Sequence, residues 1–221
     1  MPQDAAGRLS TLLDLLARPE APTAIHDPRR AVYVHVGDSL AGLEVSELRD
    51  ARTIADLGSG AGLPGLVLAA VLPTADVSVV EASRRTCEFL STAVRAMGLG
   101  NVDVLWTRAE EWADGLGECD VVGARAVASL AVLCEYAAPL LREGGSLVAW
   151  KGDVAASEMA DANAAATHLG LAAAPVRPVV PYPGARRLTL HVFKKVCPTP
   201  AKYPRRPGVA VKRPLSVKTL R

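Results

Sequence analysis

Aromatic side chains are scarce: three Trp, four Tyr and two Phe among 221 residues. So sparse a set excludes a broad base-stacking platform of the kind found on RNA-recognition sheets, where aromatics on adjacent strands stack successive bases. Cysteine is equally thin. Cys87, Cys119, Cys134 and Cys197 show no C-x-x-C spacing and no neighbouring His, which argues against a metal site or a disulfide framework. No uninterrupted apolar run approaches the roughly 18–20 residues of a membrane span. The N-terminus, M-P-Q-D-A-A-G-R, carries acid early and lacks a charged-then-apolar leader, so a cytoplasmic location is expected.

Half of the residues are apolar, enough for the core of one α/β domain with short additions. The formal charge of +2 hides an asymmetry. Residues 194–221 hold nine of the 25 Lys/Arg and none of the 23 Asp/Glu, leaving 16 cations against 23 anions, net −7, in the rest. An acidic body with a basic tail points to an anionic partner for the tail.

Leu9, Leu12, Leu13 and Leu16 share one face of a short helix, and Asp27-Pro28 is an N-cap and first-turn pair for a second. From residue 52 strand and helix patterns alternate. Strands are predicted at 52–57, 76–81, 102–106, 120–124, 145–150, 173–180 and 187–194. Helices are predicted at 63–72, 84–97 (closed by Gly98), from about 125 to 141, and at 154–169. Repeated strand–helix units predict an α/β fold: an open, mostly parallel sheet of about seven strands with helices on both faces. The last two strands are joined by Y-P-G-A rather than by a helix, so the final strand is expected to be antiparallel. Five prolines follow Lys195, which predicts an extended tail rather than more sheet. The chain thus divides into a short N-terminal helical cap (1–50), a core (51–195) and a basic, Pro-rich tail (196–221).

The stretch D-L-G-S-G-A-G-L-P-G, Asp56 to Gly65, packs four glycines into ten residues between a strand and a helix. Glycines let the main chain approach a ligand, and the following helix start offers free N–H groups. A nucleoside-triphosphate loop is excluded, since no Gly-Lys-Ser/Thr follows. Gly60-x-Gly62-x-x-Gly65 satisfies the dinucleotide pattern, a weak match by itself. Asp56 tilts the choice. A carboxylate there repels a pyrophosphate and attracts the ammonium and sulfonium of S-adenosylmethionine (SAM), so D-x-G-x-G-x-G resembles the first motif of class I, Rossmann-like SAM-dependent methyltransferases. Glu81, ending the second strand, suits ribose hydroxyls of either cofactor. Thr107-Arg-Ala-Glu-Glu111 follows the third strand, where such folds contact adenine; Thr107-x-x-Glu110 is equally a capping box, and the two roles are compatible. Trp112 can flank adenine or belong to the core.

After the fourth strand the chain reads Gly123-Ala-Arg125-Ala-Val127. It lacks the Asn/Asp-Pro-Pro-aromatic turn of enzymes that methylate exocyclic amines, and no Cys stands where covalent C5 methyltransferases place theirs. Arg125 is the candidate for orienting cofactor or target base, the alternative being a surface ion pair.

From about residue 22 to 217 the chain resembles the ribosomal RNA small subunit methyltransferase G family, also called glucose-inhibited division protein B. The resemblance is carried by His35-x-x-Asp38-Ser39-Leu40, Asp56 to Gly65, Arg108-Ala-Glu-Glu111, Arg125-Ala126, Lys151-Gly152 and Lys202-Tyr-Pro-Arg-Arg-x-Gly208, with Lys212 and Pro214-Leu215. It implies methyl transfer from SAM to N7 of one guanine, conventionally position 527, in 16S rRNA. The substrate is free 16S rRNA, the 30S subunit or a precursor. By the family pattern Gly58, Leu63, Ala109, Glu110 and Arg125 contact SAM; the fold argument adds Asp56, Gly60 and Glu81. The chain departs from the family in a shorter stretch before residue 22, in Val34 where Arg is frequent, and in Gly184-Ala-Arg186-Arg187 where Gly-Glu-Arg-His is usual. These departures bear on the RNA-facing surface rather than on the SAM site.

Guanine N7 carries a free lone pair, so no general base is expected, and catalysis is largely placement. Lys151 is a candidate phosphate contact or a solvated loop lysine. His35 and Asp38 shape the mouth of the site or hold a helix turn. Arg205, Arg206, Lys212 and Arg213 are the expected phosphate contacts of the tail, against a solvated tail without a fixed partner. No metal is expected, and the protein is expected to be a monomer. Three other readings stay open: a SAM-dependent methyltransferase of a small molecule or protein, a non-catalytic RNA-binding assembly protein on the same fold, and a nicotinamide oxidoreductase.

Overall fold

The computed structural model describes residues 2–185 and 187–220; Arg186, one of the departures noted above, lies outside the described residues. Helix α1 (Ala5–Leu16) buries Leu9, Leu12, Leu15 and Leu16, while Leu13 of the predicted stripe stays half-buried. Asp27 caps α2 (Pro28–Ala31) by accepting the Arg29 N–H at 3.0 Å. The chain then runs through a wide π-helical turn (Val32–Gly37) into α3 (Asp38–Ala41) and, past a tight turn, α4 (Ser46–Arg49).

The body alternates β1 (Thr53–Leu57), α5 (Gly65–Val71), β2 (Asp76–Glu81), α6 (Arg84–Met97), β3 (Val102–Trp106), β4 (Cys119–Arg125), α7 (Leu130–Ala137), β5 (Leu141–Lys151) and α8 (Ala156–His168). It closes with β6 (Leu171–Ala173), β7 (Arg177–Val179), β8 (Leu188–Lys195) and α9 (Val209–Lys212). The sheet order is β3-β2-β1-β4-β5-β8, with β6 and β7 end to end along the outer edge of β8. The β1, β2, β3, β4 and β5 pairings are parallel, and every pairing of β8 is antiparallel. The single strand expected at 173–180 is two short ones, interrupted at Ala174–Val176. Pro175 falls in the break, and Pro178 sits on the sheet edge, where a missing N–H is tolerated.

Residues alternate between two apolar layers. Ile54, Val77, Val79, Val121 and Val148 face α1, α5 and α6, whereas Ala55, Leu57, Val80, Val122 and Leu147 face α7 and α8. Helix α5 is buried along its whole length, as its uniformly apolar sequence requires. The proline-rich tail adds no strand, but it folds back instead of extending. Tyr203, Ala210 and Leu215 are buried, and the Val217 N–H bonds Asp161 of α8 at 2.9 Å. Among the described residues no helix is long and apolar enough to cross a membrane, and no group of His, Cys, Asp and Glu is placed to hold a metal ion.

Candidate functional site

The chain passes from β1 to β2 and β3 on one side and then places β4 on the other side of β1. Reversal of strand order leaves a crevice beyond the carboxyl ends of β1 and β4, and the glycine loop sits there. Asp56 alternates with Ala55 and Leu57, so its side chain points to the α5 face, beneath the loop. It is 1 % exposed, and its Oδ2 accepts the Gly65 N–H at 2.9 Å. A Cβ on Gly65 would stand 2.7 Å from that oxygen, so only glycine admits the bond. The expected side-by-side placement of Asp56 and a cationic ligand is therefore corrected. With no room for solvent, the carboxylate ties the loop to the helix start.

Glu81 does the same work from β2. Its Oε2 accepts the Gly60 N–H at 3.1 Å and its Oε1 the Ser83 N–H at 2.8 Å. Each oxygen keeps a second lone pair toward the cleft, as ribose hydroxyls need. Gly58, Glu81, Ala109 and Glu110 line one cleft together with Arg108, Val127 and Tyr136. Gly58 has φ +64° and a Cβ there would come 2.9 Å from Val127, so the loop and the β4 turn can approach only across a glycine. This donor set fits SAM: carboxylate for ribose, backbone and a half-buried aromatic around a flat base, and no cluster of cations of the kind a pyrophosphate asks for. Gly60 lies on the loop behind Glu81. Leu63 is buried among core side chains and supports the loop from inside.

The capping box expected at Thr107–Glu110 does not form. The turn Ala109–Glu111 begins at Arg108 with no side-chain cap, and Glu110 Oε1 instead accepts the Gly208 N–H of the tail at 3.0 Å. Glu110 also bonds Tyr136, and burial together with that carboxylate pushes the Tyr136 hydroxyl up to about 12. Neither partner was legible, because both come from more than 20 residues away. Trp112 packs into the core against Gly115, whereas the exposed Trp106 donates its indole N–H to the Ala82 carbonyl at 3.1 Å.

A second cleft opens beside the first, lined by Val34, His35, Asp38, Arg125, Ala126, Trp150 and Lys151 among others. The two share the turn 125–127, where Ala126 holds φ +59°. Arg125 Nη1 donates to the Val34 carbonyl at 3.1 Å and Nη2 lies 3.4 Å from His35 Nδ1. A guanidinium only donates, so His35 accepts at Nδ1 and its Nε2–H reaches Thr23 Oγ1 at 2.9 Å. The wide turn Val32–Gly37 brings these groups over the end of β4, and Trp150 pins it by donating to the Asp38 carbonyl at 2.8 Å. Lys151 is held by Glu158 at 3.0 Å and by the Ala128 carbonyl at 3.2 Å. Of the tail cations, Arg205 is bound to the buried Glu135, while Arg206, Lys212 and Arg213 are exposed.

Burial and the adjacent Arg125 charge hold the His35 pKa down from the usual 6.5 to about 4, and burial pushes Asp56 up from 3.8 to about 6. The signs oppose. Neutral His35 contributes stability that is present above its unfolded pKa and lost as pH falls toward 4. Buried Asp56 contributes most below its unfolded pKa and loses that contribution as pH rises through 6. Each is limited to roughly 3 kcal/mol, the worth of about two pKa units. Thermal melts between pH 7 and 5 should show His35→Gln losing less stability on acidification than the wild type, and Asp56→Asn losing more. Parallel curves for all three would contradict both assignments.

A family model described as rRNA small subunit methyltransferase G matches residues 9–180. The protein of that name from Chloroflexus aggregans is 41 % identical over 196 residues, covering 87 % of this chain and 82 % of its own. That from Thermotoga neapolitana is 37 % identical over 205 residues, covering 92 % and 88 %. Among solved structures, a 16S rRNA (adenine(1408)-N(1))-methyltransferase with cosubstrate SAM from Catenulisporales acidiphilia superposes with a TM-score of 0.57 at 18 % identity, covering 72 % of this chain and 93 % of its own. The Methanococcus jannaschii fibrillarin pre-rRNA processing protein superposes at 0.56 and 16 %, covering 69 % and 70 %. These two similarities establish the fold, a class I SAM-dependent methyltransferase sheet, and the sequence matches establish the kinship: the chain belongs to the rRNA small subunit methyltransferase G family.

Proposed function

We propose that this protein methylates N7 of a guanine in 16S rRNA, conventionally position 527, as a cytoplasmic monomer acting on 16S rRNA, the 30S subunit or a precursor. The observation that carries the reading is the meeting of two clefts at residues 125–127: one is lined by Gly58, Glu81, Ala109 and Glu110, and the other, of about 480 Å³, carries His35, Asp38, Arg125 and Lys151. SAM, when bound, supplies a methyl group whose bond to a sulfonium breaks with its electron pair left on sulfur as the N7 lone pair forms the new C–N bond. No proton leaves N7, so the chain need supply no base. Its residues hold and orient. Asp56 and Glu81 set the loop, Ala109 and Glu110 border the cofactor, and Arg125 is fixed over the end of β4 by Val34 and His35. Residues 1–50 cap this core, 51–195 form it, and 196–221 carry exposed cations to phosphate.

Labelled SAM with 16S rRNA or 30S subunits from cells lacking the modification, followed by borohydride–aniline scission, tests the activity. One SAM-dependent cut at the expected guanine is the predicted result. SAM binding without label in any RNA preparation would favour a small-molecule or protein acceptor, or a non-catalytic binder.

Replacing Lys212 and Arg213 together by alanine should weaken binding to the RNA substrate, while SAM affinity stays unchanged. It should also flatten the log K against log salt plot by about two if both residues contact phosphate. An unchanged salt slope would remove these residues from the interface.

A further inference from the structure

The second cleft contains one polar side chain that the fold leaves unused. Its volume, about 480 Å³, lies within the roughly 300–1,000 Å³ of small-molecule pockets. Most of its polar lining is engaged. Arg125 is bonded to Val34 and His35, His35 to Thr23, Lys151 to Glu158, and Asp153 to Arg187. Asp38 differs. It is only half-buried and its main chain is pinned by Trp150, yet among the described residues none donates a hydrogen bond to its carboxylate. A half-buried carboxylate on a pinned main chain is a site for two N–H donors side by side.

We propose that Asp38 reads the target guanine, its carboxylate accepting the N1–H and the 2-amino N–H of the base while Arg125 borders the ring. This rests on the reading that the protein methylates guanine N7. The chemistry of the two edges supports the assignment. Guanine offers two adjacent donors on its Watson–Crick edge, whereas adenine presents a ring acceptor there, which a carboxylate repels. N7 lies on the opposite edge, so a base held by Asp38 leaves N7 free, and the cofactor cleft adjoins this one at the turn 125–127.

The contact also changes during the reaction. Methylation at N7 moves positive charge from sulfur onto the purine ring and makes N1–H a stronger donor. The bond to Asp38 therefore tightens on the way to the transition state, which raises the rate beyond what binding alone supplies. Arg125 keeps the opposite role in the free protein, its charge favouring ionised Asp38 against the burial that disfavours it.

The test pairs a residue change with a change in the base. Full-length wild type and Asp38→Asn are assayed for label transfer to 30S subunits reconstituted with guanine or with inosine, which lacks the 2-amino group, at the target position. Asp38→Asn should bind SAM within about twofold of wild type, melt at a similar temperature and transfer methyl about 100-fold more slowly to guanine. Wild type should lose about tenfold on inosine, and Asp38→Asn should show little further loss from the same base change. An inosine penalty of equal size in both proteins overturns the assignment while leaving the function intact. A variant that has lost SAM binding or folding is replaced by Asp38→Glu, for which the same comparison of bases decides. Absence of transfer by wild type to any RNA overturns the functional reading itself, and the assignment with it.

Discussion

Gly65→Ala is expected to raise the SAM dissociation constant by tenfold or more and to lower stability by about 2–4 kcal/mol. The added methyl would sit 2.7 Å from Asp56 Oδ2 and 2.8 Å from Val79 Cγ1, inside van der Waals contact with both. Asp56 has nowhere to turn: it is fully buried, and its other oxygen already lacks a hydrogen-bond partner among the described residues. Relief can come only by moving the start of α5, which breaks the Gly65 N–H bond and releases the loop from Gly58 to Gly62. Calorimetric titration with SAM and a thermal melt measure the two effects. Gly100→Ala is the control, since a Cβ there meets nothing within 4 Å and its backbone is unstrained. If Gly65→Ala binds SAM as the wild type does, the carboxylate under the loop does not shape the cofactor cleft.

Glu135→Ala should cost about 3–5 kcal/mol, the largest single effect expected from a polar residue here. Glu135 is 2 % exposed on α7, and Arg205 of the tail meets it with both arms: Nε to Oε1 at 2.6 Å and Nη2 to Oε2. The same Nη2 donates to the Arg213 carbonyl at 3.0 Å, and the guanidinium lies over Tyr203. Removing the carboxylate leaves that cation half-buried and unpaired, so the tail detaches. The Gly208–Glu110 bond and the edge of the cofactor cleft should loosen with it. Denaturant melts should record the loss of stability, and limited proteolysis should cut within 199–220 in the variant before the wild type. Glu135→Leu combined with Arg205→Leu should recover most of the stability, because an apolar pair of similar volume avoids two desolvation costs. A loss below 1 kcal/mol for Glu135→Ala would show that other contacts dock the tail. Arg205 is thereby moved from the expected phosphate contacts to the frame that presents them, and Arg206, Lys212 and Arg213 remain as the exposed cations.

How much of this was legible depended on the distance over which each feature is determined. Helix α6 was placed to the residue because an amphipathic run ends at Gly98, a local stop signal; the Ser83 cap at its start emerged only in the structure. The parallel strands followed from apolar runs between turns, and the antiparallel β8 from the short Y-P-G-A link. The split of β6 from β7 was missed, although Pro175 announced it, since an edge strand tolerates proline and the run alone did not demand a break. Glu81, Gly58, Ala109 and Glu110 were legible as neighbours because strand ends in such a sheet converge on one crevice. Asp56 was legible as important and misjudged in orientation. The alternation of side chains along β1, settled by which face α5 covers, buries it beneath the loop against Gly65.

The sequence by itself determined the element order, the family, the glycine loop and the strand-end carboxylates. These are written in short-range patterns of glycine, capping residues and hydrophobic period, which act over a few residues whatever the rest of the chain does. Only the tertiary structure decided that Arg125 is held by Val34 and His35, that Glu110 takes the Gly208 N–H, that Glu135 cancels Arg205, and that the Asp38 carboxylate stands open in its cleft. The first three are meetings of polar groups brought together by packing from distant parts of the chain, and the last is a polar group that packing leaves without one among the described residues. The free energy of a buried charge depends on its neighbours in space, and those neighbours leave no local trace in sequence.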